Sequence, residues 1–270
     1  MNEPMPLSNH KLSMQGMGEG ETLVMIHGWG MHSGIWSTLA TRLAQSYRVV
    51  CIDLPGHGRS DMICPLQLQE VSAQILQQVS EPAHWLGWSL GANIVMNIAA
   101  DCPQRVLSLS LLAGNPCFTR RQGWDSGIDV SVLEQFTQQL QQDYKKTLMQ
   151  FLALQTLGSN ESRETLKQLK EKLFAVADAR PAALRQGLQI LATVDARDGM
   201  RTCDKPCLVV LGERDQLVPS TVADFYATLP MQPQVAVIEG AGHAPFISHA
   251  EETLGLIECF LADIKLKQAE

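Results

Sequence analysis

Short apolar runs alternate with amphipathic segments along the first part of the chain. The runs are almost wholly apolar, as is typical of strands buried on both faces of a sheet, and they span residues 22–26, 48–52, 83–86 and 106–112. Apolar residues at helical spacing predict helices between them, at about residues 36–45, 66–79 and 91–100. Residues 11–15 are predicted to form a first edge strand. This alternation favours right-handed crossovers and a mainly parallel sheet, and therefore an α/β fold.

The pattern changes after residue 117, and only helices are predicted as far as about residue 199. One apolar face is formed by residues that recur at helical spacing: Phe136, Leu140, Tyr144, Leu148, Phe151, Leu152 and Gln155. Further helices are predicted at 161–176 and 181–191. Strands then resume at 207–211 and 234–238, and helices at 221–229 and 251–264. We therefore expect an α/β core of residues 1–117 and 200–270, with a helical cap of residues 118–199.

Composition and charge restrict the class of protein. The chain has 270 residues, of which 45% are hydrophobic and 18% charged, as in globular enzymes with a large core. A formal net charge of −7 disfavours a general affinity for nucleic acid or for an anionic membrane. Residues 1–15 lack the features of a signal peptide, and no apolar stretch is long enough to span a bilayer. We expect a cytoplasmic protein with a loose N-terminal tail up to about residue 9.

The seven cysteines are scattered along the chain and include no C-x-x-C pair. Cys203 and Cys207 bracket a turn, but no pair of histidines at zinc-binding spacing accompanies them. A disulfide framework and a zinc site are therefore not expected. The cysteines are interpreted as reduced, mostly buried thiols.

The segment Leu86-Gly87-Trp88-Ser89-Leu90-Gly91 has the pattern G-x-S-x-G between a predicted strand and a predicted helix. Such a turn presents the serine at the end of the strand, and glycines at 87 and 91 allow neighbouring chain to approach closely. The helix that follows directs its N-terminal N–H groups towards the serine, which favours developing negative charge. The pattern alone is weak, because it also arises by chance in turns, so its context decides the interpretation.

Three side chains are predicted at the carboxyl ends of three different strands: Ser89, Asp215 and His243. Open α/β sheets bind their ligands at this edge. Serine needs a base to take its proton, imidazole titrates in the right range, and a carboxylate can orient the imidazole. Asp53 is a rival acid, but it precedes the serine, whereas α/β-hydrolases have the order Ser, Asp, His. His27 is interpreted as structural.

Further segments complete a resemblance to the α/β-hydrolases of the capped esterase type, over essentially the whole chain after the N-terminal tail. Residues 27–30, His-Gly-Trp-Gly, resemble the oxyanion loop of that family, and residues 53–60 resemble its D-x-P-G-x-G-x-S loop. Residues 212–219 resemble the acid loop, and Gly242-His243 the histidine loop. These matches, in the right order, are together very specific.

The resemblance implies a serine carboxylesterase in which Ser89 is the nucleophile, His243 the base and Asp215 the acid. It also implies that the backbone N–H groups of Trp29 and Leu90 form the oxyanion hole. No metal or organic cofactor is implied.

Residues 86–91, 151–156 and 243–249 show a closer resemblance, to the biotin-pathway carboxylesterases that remove a methyl group from a pimeloyl chain on acyl-carrier protein. Ala92 departs from that pattern, which usually has glycine, and only a slightly tighter helix start is expected. The resemblance implies acyl-carrier protein as the partner of a monomeric enzyme. It implies a substrate site formed by Trp29, Ser89, Leu90, Phe151, Leu152, Ala153, Leu154, Gln155 and His243.

The expected cap differs in charge from the rest of the chain. Residues 118–200 carry eleven Lys and Arg against ten Asp and Glu, although the whole chain has a net charge of −7. Arg163, Lys167 and Lys170 share one predicted helix face, and Lys146 is expected nearby. These residues form either a solvated helix face or a docking site for an acidic protein, and the resemblance to carrier-dependent esterases favours the docking site.

Two alternatives keep the fold but change the function. A lipase, a thioesterase or a C–C bond hydrolase would use the same serine, whereas a dehalogenase would need Asp in its place. A ligand-binding protein could retain the three residues with negligible turnover. Hydrolysis of a short p-nitrophenyl ester would separate the enzymes from the binding protein.

Overall fold

The computed structural model describes residues 11–63 and 66–269, so the N-terminal tail predicted above lies outside the described residues. One sheet of seven strands has the order β1-β3-β2-β4-β5-β6-β7. The strands are β1 (Met14–Met17), β2 (Thr22–Ile26), β3 (Arg48–Ile52), β4 (Ala83–Trp88), β5 (Val106–Leu112), β6 (Cys207–Gly212) and β7 (Gln234–Ile238).

All pairs in the sheet are parallel except β1 with β3. Strand β4 lies at the centre, between β2 and β5, and all of its residues are buried. The predicted mainly parallel α/β fold is therefore confirmed. The first edge strand begins at Met14 rather than at residue 11, because its pairing with β3 starts where Met14 lies opposite Ile52.

Helices cover both faces of this sheet and fill the long interval between β5 and β6. They are α1 (Ser37–Leu43), α2 (Leu68–Gln78), α3 (Leu90–Asp101), α4 (Val130–Gln142), α5 (Tyr144–Thr156), α6 (Ser162–Leu173), α7 (Pro181–Thr193), α8 (Arg197–Thr202), α9 (Val222–Ala227), α10 (Pro245–Ser248) and α11 (Ala250–Ala269). Within the described part of the chain, no helix combines the length and the apolar character needed to cross a membrane.

Helices α4 to α7, which we call the insertion, pack on one another between β5 and β6. The apolar stripe from Phe136 to Gln155 is divided between α4 and α5, because the helix is interrupted at Asp143, whose backbone is extended. The Asp143 carboxylate accepts a hydrogen bond from the Lys146 N–H (3.0 Å) and so caps α5. The division of the chain into core and cap, with the boundaries given above, stays a prediction.

Candidate active site

Ser89 lies at a strained turn between β4 and α3. Its φ of 55° and ψ of −117° are rare for a residue with a side chain. The turn is tight: a Cβ atom on Gly87 would overlap the Gly91 carbonyl, and one on Gly91 would overlap the Ile26 carbonyl. The two glycines therefore allow the backbone contacts that hold the serine at the carboxyl end of β4, as predicted.

The structure brings together the three side chains that the sequence singled out. Ser89 Oγ lies 2.8 Å from His243 Nε2, and His243 Nδ1 lies 2.7 Å from Asp215 Oδ2. Because a carboxylate can only accept, His243 donates from Nδ1 to Asp215, which leaves Nε2 to accept from the Ser89 hydroxyl. This hydrogen-bonded chain, which we call the relay, can move a proton from the serine to the histidine.

The acid and the histidine of the relay are each fixed by further hydrogen bonds. The second oxygen of Asp215 accepts from the N–H groups of Leu217 (2.8 Å) and Val218 (3.0 Å). The indole N–H of Trp88 donates to the His243 carbonyl (2.7 Å). All three relay residues are buried, so their geometry is preorganised by the surrounding protein.

Trp29 and Leu90 lie beside the serine. A Cβ atom placed on Gly28 would be 3.3 Å from Ser89 Cβ, so the loop that carries Trp29 passes next to the nucleophile. The Trp29 indole donates to the Leu184 carbonyl in α7 (2.7 Å). Among the described residues, neither the Trp29 N–H nor the Leu90 N–H donates to a protein acceptor. Both amides are therefore free to bind an oxyanion.

His27 fixes this loop without contacting the relay. Its Nδ1 donates to the Gly28 carbonyl (2.8 Å), and its Nε2 accepts from the Leu54 N–H (2.9 Å). The pKa of His27 is lowered to about 3, mainly because the ring is buried and also because of its electrostatic interaction with the neighbouring His57. An imidazole that is neutral at pH 7 and has both nitrogens engaged fits the structural role suggested by the sequence, which stays a prediction.

Asp53, the rival acid, is engaged elsewhere. Its carboxylate accepts hydrogen bonds from the N–H groups of Ser33 (2.6 Å) and Arg59 (3.0 Å). Although burial alone would raise it, the pKa of Asp53 is lowered by these hydrogen bonds. Asp53 thus joins two loops, and of the two acids it is Asp215 that is hydrogen-bonded to the histidine of the relay.

The predicted pocket residues of α5 fall into two groups. Phe151, Leu152 and Gln155 are buried, and the Phe151 ring lies 4.5 Å from the Trp29 ring, centroid to centroid. Ala153 is exposed and Leu154 half-buried, and both line a groove between α4 and α5. The geometry therefore favours the first group for contact with a substrate at Ser89, and the roles of all five residues stay predictions.

The four predicted docking residues lie on the outside of the insertion. Lys146 is exposed in the first turn of α5, and Arg163 and Lys167 are exposed on α6, where Lys170 is half-buried. Over residues 11–63 and 66–269, none of the four forms an ion pair with a carboxylate. Their charges are available to a partner.

Comparison with known proteins shows what most of this chain is similar to. The sequence of residues 23–256 matches the Alpha/beta hydrolase family. The chain is 41% identical over 249 residues to a pimeloyl-[acyl-carrier protein] methyl ester esterase of Xanthomonas axonopodis pv. citri, covering 92% of this chain and 98% of that protein. A protein of the same name from Aliivibrio fischeri is 40% identical over 250 residues, covering 93% and 97%.

Solved structures of low sequence identity share the fold. An esterase from Exiguobacterium antarcticum superposes with a TM-score of 0.82 at 22% identity, covering 95% of this chain and 96% of that one. A thermophilic esterase from Thermogutta terrifontis also gives 0.82, at 18% identity and 96% coverage of both chains. Residues 23–256 match the family, and the relatives align over nearly their full length. This chain therefore belongs to the Alpha/beta hydrolase family.

Proposed function

We propose that this protein is a serine carboxylesterase that hydrolyses the methyl ester of a pimeloyl chain carried on acyl-carrier protein. The relay of Ser89, His243 and Asp215 is the observation that carries the proposal, because its distances suit transfer of the serine proton as the oxygen attacks. The relatives named for this substrate support the choice of ester. In biotin synthesis, to which the sequence resemblance points, the product would be the free carboxylate.

The first half of the reaction forms an acyl-enzyme. Ser89 Oγ attacks the ester carbonyl carbon while His243 Nε2 takes the hydroxyl proton, and Asp215 stabilises the resulting imidazolium. The N–H groups of Trp29 and Leu90 bind the oxyanion, where loss of one donor typically costs about 3 kcal/mol of transition-state stabilisation. Collapse of this intermediate breaks the bond to the methoxy group, which leaves as methanol with the proton from His243.

The second half reverses these roles with water. His243 removes a proton from a water molecule, whose oxygen attacks the acyl carbon on Ser89. The tetrahedral intermediate collapses, the bond to Ser89 Oγ breaks, and the proton returns to the serine. The acyl chain leaves as a carboxylic acid, which ionises at neutral pH.

The insertion supplies contacts for both ends of such a substrate. For the acyl chain, we expect contacts with the buried residues Phe151, Leu152 and Gln155 and with Trp29. The Phe151 ring packs on the Trp29 ring, and the Gln155 carbonyl accepts from the His243 N–H. Outside, Lys146, Arg163, Lys167 and Lys170 present positive charge to an acidic carrier protein. We infer that the carrier docks on this surface while its acyl chain reaches Ser89.

The decisive experiment follows the mass of the intact carrier protein loaded with a pimeloyl methyl ester. Methyl ester hydrolysis leaves the acyl chain on the carrier and lowers its mass by one CH2 unit, whereas a thioesterase removes the whole acyl group. The Ser89→Ala variant is the control and should be folded and inactive. Turnover by folded Ser89→Ala, or release of the whole acyl group by the wild type, would refute the proposal.

A further inference from the structure

The connection between α5 and α6 contacts the loop that carries the relay histidine. Gln155, near the end of α5, accepts a hydrogen bond on its carbonyl from the His243 N–H (2.9 Å). Asn160, just before α6, donates its N–H to the Gly240 carbonyl (3.1 Å). The loop 240–243 is thus held to the insertion at two points.

Arg214 joins the same connection to the acid of the relay. It directly precedes Asp215, and its N–H donates to the Ala241 carbonyl (2.9 Å). Its guanidinium donates from Nη1 to Asn160 Oδ1 (2.7 Å) and to the Gly158 carbonyl (3.3 Å). The backbone of Arg214 therefore contacts the histidine loop, and its side chain contacts the insertion.

The side chain of Asn160 is also packed against the histidine loop. Gly240 has a φ of +71°, and a Cβ atom on it would overlap the Asn160 amide. The Gly240 N–H donates to the Glu213 carboxylate (2.9 Å), which closes the arrangement on the side of the acid loop. Hydrogen bonds thus connect three segments that are separate in sequence, each to the other two: 155–160, 213–215 and 240–243. Two of these segments carry the acid and the histidine of the relay.

We propose that Arg214 and Asn160 are positioning residues, whose side-chain contact keeps His243 aligned between Ser89 and Asp215. The proposal rests on the hydrolytic role given to the relay above. Neither residue touches the reacting atoms, and both act through the loops that carry the histidine and the acid. A misplacement of about 1 Å at such a site can lower the rate by roughly a hundredfold, so a contact that restrains these loops affects turnover.

Exposure of the two side chains separates this role from general stabilisation. Arg214 and Asn160 are both exposed, and exposed polar contacts contribute little to the free energy of unfolding. Their loss should therefore leave the unfolding midpoint nearly unchanged while it lowers kcat. A residue with only a structural role would show the opposite pattern.

The test uses the full-length protein and a short p-nitrophenyl ester, which needs no carrier. Arg214→Met and Asn160→Ala should each lower kcat by about tenfold and leave KM within about twofold. If the two residues act through one contact, kcat of the double variant should be no lower than kcat of the less active single variant. Asn160→Asp keeps an oxygen for Arg214 and should retain most of the wild-type kcat.

Arg201→Met is the matched control, because Arg201 is also exposed and hydrogen-bonded, to Asp198 (2.6 Å), but that contact does not involve the relay. It should leave kcat unchanged. As a second measurement, an alkyl phosphonate that modifies the activated serine should react with Arg214→Met and Asn160→Ala more slowly than with wild type, in proportion to kcat.

Three results would overturn the inference: wild-type kcat in both single variants, a change in KM alone, or losses that add in the double variant. None of these affects the proposed function, which fails only by the outcomes given for Ser89→Ala and for the carrier substrate. If folded Ser89→Ala is inactive and Arg214→Met is fully active, the positioning role alone is wrong.

Discussion

Asp215 Oδ2 lies 2.7 Å from His243 Nδ1, and both side chains are fully buried. In such a site an amide cannot replace the carboxylate, because it cannot stabilise the imidazolium and can hold the wrong tautomer. We expect Asp215→Asn to lower kcat by about 10³- to 10⁴-fold without unfolding the protein, measured with a p-nitrophenyl ester and by circular dichroism.

Asp53→Asn is the matched control for this prediction, since Asp53 is also a buried acid at the end of a strand. Asparagine keeps one of the two oxygens that accept from Ser33 and Arg59. The variant should therefore lose about 1–3 kcal/mol of the free energy of unfolding rather than its turnover. If Asp53→Asn damaged turnover more than Asp215→Asn, the acid would have been chosen wrongly.

Buried histidines with lowered pKa values, His27 and His57 among them, should make stability depend on pH. Burial lowers the pKa of His57 to about 4 and that of His27 to about 3, whereas a histidine in the unfolded chain titrates near 6.5. Between these values the unfolded chain binds protons that the folded protein does not. The free energy of unfolding should therefore fall as the pH drops from about 6.5 to about 4, by up to about 1.4 kcal/mol per histidine per pH unit.

Urea denaturation at several pH values between 7.5 and 4.5 would measure this slope. The groups around His27 and His57 are Asp53 and His32, and the pKa of Asp53 is lowered, so Asp53 contributes mainly below this window. Replacing His57 by glutamine removes one titrating group. The dependence of the unfolding free energy on pH should then be less steep by the contribution of one histidine. An identical slope in wild type and His57→Gln would contradict the assignment.

Much of the fold followed from local pattern. The bounds of β5 and β7 are those predicted, because each strand is a short apolar or alternating run between turn-forming residues. The relay could be predicted because its three residues lie in loops of distinctive sequence at the carboxyl ends of strands. These motifs are specified locally, so they can be identified without knowledge of packing.

The features that escaped prediction depend on contacts between distant segments. Asn160 and Arg214 are 54 residues apart, and nothing in either local sequence indicates that they meet. The break between α4 and α5 was missed because the apolar spacing continues across Asp143. Helix α10 was missed because four residues are too few to show helical periodicity. Helix α8 was missed because only Met200 among its six residues is apolar and buried, so it shows no apolar face.

Gly187 in α7 limits the space beside Trp29 and Leu90, the two residues proposed to form the oxyanion hole. A Cβ atom on it would lie 2.7 Å from Trp29 Cδ1 and 3.5 Å from Leu90 Cδ2. In Gly187→Ala, either α7 or Trp29 must shift, so we expect kcat for a short ester to fall by about tenfold. The gain in helix propensity, about 1 kcal/mol, would be offset by the crowding.

Gly255→Ala provides the control, because Gly255 is also within a helix but a Cβ atom there meets nothing within 4 Å. This variant should gain about 1 kcal/mol of stability and keep its wild-type kcat. Wild-type kcat in Gly187→Ala as well would show that the indole and α7 yield without disturbing the oxyanion site.

The proposed docking of an acidic carrier on α6 can be tested by charge reversal. Arg163 and Lys167 are exposed, and α6 is held by other residues: Asn160 bonds the histidine loop before it, and the His32 ring donates to the Lys172 carbonyl near its end (2.7 Å). Reversing both charges should therefore leave the helix in place. The Arg163→Glu/Lys167→Glu variant should lose kcat/KM for a carrier-borne pimeloyl methyl ester by at least about tenfold, and keep it for the free methyl ester.

Salt and a matched variant complete this test. Exposed charges are screened beyond a Debye length of about 8 Å at physiological ionic strength, so added salt should weaken the wild-type reaction with the carrier substrate only.

The control variant, Lys205→Glu/Lys267→Glu, changes the net charge equally but lies near the amino-terminal ends of β5 to β7, at the edge opposite Ser89. It should be less affected than the α6 variant on the carrier substrate, because it is far from the docking surface. Equal losses on free and carrier-borne esters would indicate a distorted insertion, and no loss on either would mean that these residues form a solvated helix face.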